Sequence, residues 1–123
     1  MSKMNSIIKE TWLKALRSGQ YKQTTSMLKK GNNFCCLGVL CDLYAEEKSK
    51  KWHIFGADDG RWEMCGATEI LPKEVSRWAG LGEENDDPIV TPSEESEDRQ
   101  SLSELNDGGF SFREIADMIE EQM

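Results

Sequence analysis

The sequence predicts a single α+β domain, mostly helical, with a small antiparallel β-hairpin or sheet. Apolar residues recur at helical spacing in several segments, and two strand-like segments flank a turn-rich sequence. The chain has 123 residues, which suits one domain, and its four tryptophans supply large rings for a small core. No internal repeat is visible, so we expect residues 1–123 to fold as one unit.

The first predicted helix carries its apolar residues on one face. These residues are Ile8, Trp12, Ala15 and Leu16. Asn5 or Ser6 can cap the start of this helix, and Gly19 follows its basic end. A second, short helical piece is predicted around Met27 and Leu28.

A buried helix is predicted to follow a break at residues 31–33. Nearly every residue from 34 to 44 is apolar or small, so this helix should be covered on most of its surface. Gly38 in its middle costs about 1 kcal/mol of helix stability. We expect a small residue there because another element packs closely against it.

The middle of the chain predicts a β-hairpin followed by a helix. Residues 52–55 and 61–65 have strand character, and residues 56–60 between them are typical of a hairpin turn. Pro72 suits the first turn of the helix, and Gly80 ends it.

The C-terminal part predicts a short strand and further helix. The strand is predicted at residues 88–90, and Leu102 and Leu105 mark one helical turn. Ser111 and Glu114 have the spacing of a capping box at the start of the last helix. Helical periodicity across the chain predicts a core that contains Trp12, Leu16, Leu37, Leu40, Cys41, Trp78, Ile115 and Ile119.

Charge is distributed unevenly along the chain. Residues 1–52 hold ten basic and four acidic residues, a net charge of +6, whereas residues 53–123 hold five and nineteen, a net charge of −14. A domain that grips nucleic-acid phosphates should be basic, so we expect no direct nucleic-acid binding. No apolar run approaches the roughly 20 residues that span a bilayer, so no membrane partner is expected.

Eight of the acidic residues fall between residues 83 and 98. Because these carboxylates repel one another, and because Pro88 and Pro92 oppose helix, residues 83–100 are predicted to form a mobile acidic loop. The loop either keeps the protein soluble or meets a basic partner. In the second case the contacting residues would be Glu94, Glu95, Glu97 and Asp98.

The four cysteines are expected to be reduced core residues rather than metal ligands. Cys35 and Cys36 are adjacent, whereas zinc sites usually present paired cysteines two residues apart on a turn. His53 is the only histidine. A reactive thiol near the helix start is the alternative, because a helix N-terminus lowers a thiol pKa. We expect no metal and no cofactor.

Polar residues near predicted helix ends suggest a ligand site. Free N–H groups at helix starts, next to amide side chains, suit a polar or phosphate-bearing ligand. We expect the following residues to converge: Tyr21, Gln23, Asn33, Asn106 and Asp107. The alternative is that these residues only cap helices and form turns.

Five motifs resemble a group of small proteins of unknown function found in tailed bacteriophages, prophages and bacteria. The motifs are WLxALRSGxYxQ at residues 12–23, FCCLGVLCD at 34–42, LPxxVxxWAGL at 71–81, LND at 105–107 and SFxEIAD at 111–117. The resemblance implies a phage-type accessory protein. It implies no established activity, so no catalytic residue can be transferred.

These features favour a non-catalytic, cytoplasmic binding protein, located in the host cytoplasm if phage-encoded. It would act on a host factor or sequester a small nucleotide-like signal, and so counter host defence. One alternative is a small hydrolytic or thiol-based enzyme in which Cys36, His53 or Asp107 converge. Another is an acidic mimic of DNA.

Overall fold

The computed structural model describes residues 4–56, 60–82, 85–92 and 99–123, and these form five helices and seven short strands. The helices are α1 (Ser6–Arg17), α2 (Cys36–Lys48), α3 (Lys73–Trp78), α4 (Leu102–Asp107) and α5 (Phe112–Gln122). The strands are β1 (Lys22–Gln23), β2 (Lys29–Lys30), β3 (Asn33–Phe34), β4 (His53–Gly56), β5 (Arg61–Glu63), β6 (Ile89–Val90) and β7 (Gln100–Ser101). The predicted α+β fold, mostly helical with a small sheet, is confirmed.

Five of the strands form one sheet in the order β1-β3-β2-β5-β4. The predicted hairpin is the antiparallel pair β4–β5, which contains a register shift between Ile54 and Gly56. The sheet is mixed rather than purely antiparallel, because β1 pairs with β3 in parallel. β6 and β7 form a separate antiparallel pair, and β6 lies within the strand predicted at residues 88–90.

The short helix predicted around Met27 and Leu28 is wrong. Both residues lie in an irregular segment that leads into β2. The backbone N–H of Leu28 donates to Thr68 O at 2.6 Å, and its carbonyl accepts from Cys35 N at 3.1 Å. Two neighbouring apolar residues do not define a helical face, and long-range backbone hydrogen bonds determine the conformation of this segment. For the same reason α2 begins at Cys36 rather than Phe34, which belongs to β3.

The core is centred on α2, as its all-round apolar sequence predicts. α2 packs against α1, α3 and α4, and the side chains of Leu37 and Leu40 are completely buried. The expected close approach at Gly38 is confirmed, because a Cβ atom there would lie 1.8 Å from the carbonyl oxygen of Leu28. The segment before β2 therefore lies directly on α2.

Trp78 departs from the predicted core list. It is only half-buried, since its indole N–H donates to the carboxylate of Glu47 at the surface. The edge of its ring meets Tyr44, with 5.4 Å between ring centroids. The amphipathic indole thus has one end in the core and one at the surface, which helical spacing alone does not distinguish.

Side-chain caps fix the starts of four helices, including α2, where the sulfur of Cys35 accepts from the backbone N–H of Gly38. Asn5 accepts hydrogen bonds from the backbone N–H groups of Ile7 and Ile8 at the start of α1. The predicted capping box of Ser111 and Glu114 is present at α5, and α4 has a second one that the sequence analysis missed. Among the described residues, no helix is long and apolar enough to cross a membrane.

Part of the predicted acidic loop lies outside the described residues. This part includes all four residues predicted to contact a partner, namely Glu94, Glu95, Glu97 and Asp98. On either side of residues 93–98 the chain forms the paired strands β6 and β7. The mobility of the loop therefore stays a prediction.

Candidate functional site

The structure brings together three of the five residues predicted to bind a ligand. The side-chain amide of Gln23 donates to Asn106 Oδ1 at 2.9 Å, and Asp107 is the next residue along α4. Asn33 lies in β3, where its backbone pairs with Lys22 and Lys30. No hydrogen bond between described residues involves its side chain.

Asn106 holds three segments of the chain together. Its Oδ1 accepts from Gln23 Nε2 and, at 3.2 Å, from the backbone N–H of Cys36. Its Nδ2 donates to the carbonyl of Thr24 at 2.7 Å. Since Asn106 is only 1% exposed, these bonds replace those it would make with water. The amide groups of Gln23 and Asn106 thus join β1, α2 and α4 rather than face a free cavity.

Asp107 borders a cleft of about 290 Å³ that also contacts Cys35, Glu69 and Ser103. One carboxylate oxygen of Asp107 accepts from the backbone N–H of Ser26 at 2.8 Å. Asp87 accepts hydrogen bonds from Ser103, so a further carboxylate lies beside this cleft. The local charge is therefore negative, which disfavours a phosphate group there.

Tyr21 belongs to a different cluster, organised by Asp42. Its hydroxyl donates to Asp42 Oδ2 at 2.7 Å, and the indole N–H of Trp52 donates to Asp42 Oδ1 at 3.0 Å. Partial burial, and then the hydrogen bond to Asp42, raise the pKa of Tyr21 well above its ordinary value. Asp42 was not predicted as a site residue from the sequence, although it is the one acidic residue within the apolar run of residues 34–45.

The thiols of α2 are poorly suited to nucleophilic chemistry. Cys36 is fully buried, and burial raises its pKa well above the ordinary value. Burial also raises the pKa of Cys35 to about 11, although its sulfur accepts from the backbone N–H of Gly38. A thiol needs to ionise to attack, and His53, the one candidate base of the thiol hypothesis, is exposed on β4.

The prediction that the cysteines lie in the core is confirmed for three of them and wrong for Cys65. Cys35, Cys36 and Cys41 are buried and Cys65 is exposed, all four as free thiols. Cys65 follows β5 in a left-handed backbone conformation with φ +51°, outside the core. Among the described residues, no three His, Cys, Asp or Glu side chains are grouped to hold a metal ion.

Iodoacetamide should therefore modify Cys65 alone in the native protein. The reaction should be slow at neutral pH and quicken as pH rises, because partial burial and then a hydrogen bond to Glu74 raise the pKa of Cys65 above its ordinary value. Mass spectrometry after labelling, with and without denaturant, measures this. Rapid native labelling of Cys35 or Cys36 would contradict the prediction and revive a thiol-based activity.

A second surface feature is a groove of about 330 Å³ between α1, α2 and α3, here called the helical groove. It is lined by Ile7, Ile8, Thr11, Leu43, Glu46, Glu47 and Trp78. Ile7 is 74% exposed, the highest value among the exposed large apolar side chains of the described residues. This groove could not be predicted from the sequence, because Ile7 adjoins core residues in the first helix and nothing in the pattern indicates that it is exposed.

Comparison with known proteins gives a family and no activity. A family model described as a domain of unknown function (DUF8296) matches residues 4–123. No curated protein and no solved structure matches the chain.

Proposed function

The chain belongs to the DUF8296 family, a domain of unknown function. From the surface of the molecule, we propose that this chain is a non-catalytic binding protein that docks on a partner protein. The motif resemblance to small proteins of tailed phages and prophages supports a host factor as the partner. Binding in the host cytoplasm would then blunt the activity of that factor, as an accessory protein that counters host defence would do.

The helical groove is the observation that carries this proposal. Its floor is apolar, with Ile8, Leu43 and the half-buried ring of Trp78, and Ile7 stands at its edge. An exposed aliphatic side chain beside a concave apolar surface with a tryptophan is typical of a protein contact. Trp78 is also held in place, because its indole N–H donates to Glu47 and its ring meets Tyr44.

The charge of the helical groove indicates what kind of partner segment would bind there. Glu46 and Glu47 form its polar border, and the chain as a whole carries a net charge of −8. A helix that presents apolar residues on one side and lysine or arginine beside them would match both features. We therefore propose that the bound segment is a basic, amphipathic helix of the partner.

A small nucleotide-like ligand is less well supported at the predicted polar site. The amides of Gln23 and Asn106 are already bonded within the protein. The neighbouring cleft carries the carboxylates of Glu69 and Asp107, which repel phosphate. The geometry and charge around Gln23, Asn106 and Asp107 therefore favour the alternative reading, in which these residues stabilise turns and helix ends.

Capture of proteins from a bacterial host lysate tests the proposal with two matched variants. Ile7→Glu places a carboxylate at the groove edge, whereas Ile89→Glu makes the same change at a 54% exposed isoleucine in β6. Both positions are exposed, so each variant should keep its stability within about 0.5 kcal/mol. Quantitative mass spectrometry should find a protein that the wild type and Ile89→Glu retain and that Ile7→Glu loses. A partner retained equally by all three would show that docking does not use the groove.

A further inference from the structure

The outer side of β4 is an open edge of the five-stranded sheet. β4 stands last in the strand order β1-β3-β2-β5-β4, so it pairs with β5 on one side alone. It is also the longest strand of that sheet, with four residues. Between described residues, no backbone hydrogen bond joins β4 to any segment other than β5. The N–H and C=O groups that point away from β5 are therefore available to another strand.

Two other sheet edges carry features that protect them, and β4 lacks both. β1, at the opposite edge of the sheet, is only two residues long and includes Lys22. Directly after β6, the side-chain amide of Gln122 donates to the carbonyl of Thr91 at 2.7 Å and accepts from its N–H at 2.8 Å. β4 contains neither lysine nor proline, and no described side chain bonds to its outer backbone.

β4 also carries exposed apolar side chains on both faces of the sheet. Ile54 is 62% exposed and Phe55 is 55% exposed. Ile54 pairs with Trp62 on one face. Phe55 lies on the other face, where the guanidinium carbon of Arg61 is 5.1 Å from its ring centroid. Large apolar side chains at an unpaired edge are typical of a strand that a further chain extends.

On the face of Ile54, a packed row of side chains runs up to this edge. Phe34 pairs with Lys29, and Trp62 pairs with Ile54. The ammonium group of Lys29 lies 5.2 Å from the ring centroid of Phe34 and 4.7 Å from that of Trp62. Cation–π contacts therefore join the two pairs, and Ile54 is the exposed end of the row. A strand added beside β4 would cover Ile54 and continue the row.

We propose that β4 pairs with β4 of a second copy of this chain, antiparallel and about a two-fold axis at Ile54. Ile54 would lie against Ile54 of the second copy, and His53 against Phe55 of that copy. Apolar and aromatic pairs of this kind stabilise neighbouring strands, and no like charges lie opposite each other. Since the pairing uses the same edge of both copies, assembly stops at the dimer.

Charge favours the antiparallel arrangement of two copies. Lys50 and Lys51 precede β4, are exposed, and form no ion pair within the described part of the chain. Lys51 lies three positions before Ile54, so antiparallel pairing at Ile54 places the two Lys51 residues about 20 Å apart along the strands. This exceeds the screening length of about 8 Å at physiological salt. Parallel pairing would instead bring the lysines of the two copies together.

The expected dimer is weak. Two paired strands of four residues bury less surface than the roughly 1,200 Å² at the lower end of stable interfaces. We therefore expect a Kd on the order of 10–100 µM, with monomers in dilute solution and dimers in concentrated solution. The contact uses no residue of the helical groove and is independent of docking there.

Sedimentation equilibrium of the full chain from about 1 µM to about 1 mM tests the proposal. It should show a reversible equilibrium between monomer and dimer with no larger species. Ile54→Lys should raise the Kd about tenfold or more, because two lysines would face each other across the axis. Ile54→Val keeps a β-branched side chain and should dimerise like the wild type. Ile89→Lys makes the lysine change at a 54% exposed position of β6 and should also dimerise like the wild type.

Amide hydrogen exchange at low and high protein concentration locates the contact. Exchange of β4 amides should slow as the dimer forms, whereas exchange of β6 amides should not change. The proposal is overturned if the chain stays monomeric up to the highest concentration, or if Ile54→Lys and Ile89→Lys weaken the dimer equally. It is also overturned if Ile7→Glu, and not Ile54→Lys, abolishes the dimer, because the copies would then meet at the helical groove. A monomeric chain that loses a host protein only on Ile54→Lys would make a foreign strand the occupant, which contradicts the proposal as well.

Discussion

Replacing Gly38 with alanine should lower the free energy of unfolding by about 3 kcal/mol or more. The added Cβ would lie 1.8 Å from the carbonyl oxygen of Leu28 and 2.7 Å from its carbonyl carbon. These are backbone atoms, and Leu28 is fixed on both sides by its hydrogen bonds to Thr68 and Cys35. Without such a neighbour, replacing glycine with alanine inside a helix would stabilise the helix by about 1 kcal/mol. A loss of stability would therefore indicate the close contact with Leu28.

Urea unfolding followed by circular dichroism measures this effect. Gly108→Ala is the matched control, because Gly108 has helical backbone angles and a Cβ there would meet only the carbonyls of its own helix, at 3.1 Å or more. The control should change stability by less than about 1 kcal/mol. A Gly38→Ala protein as stable as the wild type would mean that Leu28 does not lie on α2 as described.

Asn106→Ala should cost about 3–5 kcal/mol of stability, because it leaves the buried N–H of Cys36 and the half-buried carbonyl of Thr24 without partners. The backbone N–H of Cys36, at the start of α2, would lose its acceptor. The carbonyl of Thr24 would lose its donor, and the amide of Gln23 would lose one of its two acceptors. The N–H of Cys36 is fully buried, so the loss of its acceptor contributes most of this cost.

Gln23→Ala separates this network from an ordinary surface hydrogen bond. Gln23 is exposed, and its removal leaves Asn106 with its bonds to Cys36 and Thr24. We expect it to cost about 1 kcal/mol, measured by the same urea titration. If Asn106→Ala costs no more than Gln23→Ala, then the network does not hold the three segments together.

The helices could be predicted from the sequence because their signals are local. Helical spacing of apolar residues located α1 and α5, and the pair Ser111 and Glu114 located the start of α5. The strands of the larger sheet are mostly two residues long, and a two-residue strand has no period to detect. Only the β4–β5 hairpin, with strand-like segments on both sides of a turn, gave a usable pattern.

The candidate sites were harder to predict for a related reason. Amide side chains near helix ends suit a ligand and equally suit a structural bond, and only the three-dimensional partners of Asn106 distinguish the two. The exposure of Ile7 likewise depends on what packs against α1.

The position of Asn106 also bears on the order in which the chain assembles. Its side chain connects the first strand and the second helix to a helix about seventy residues further along, a separation over which loop closure is entropically costly. The N-terminal half can therefore collapse around α2 early, but the first amide of α2 gains its partner only when α4 arrives. Folding of the two halves is thereby coupled, and partial detachment of α4 would loosen the sheet and the central helix together.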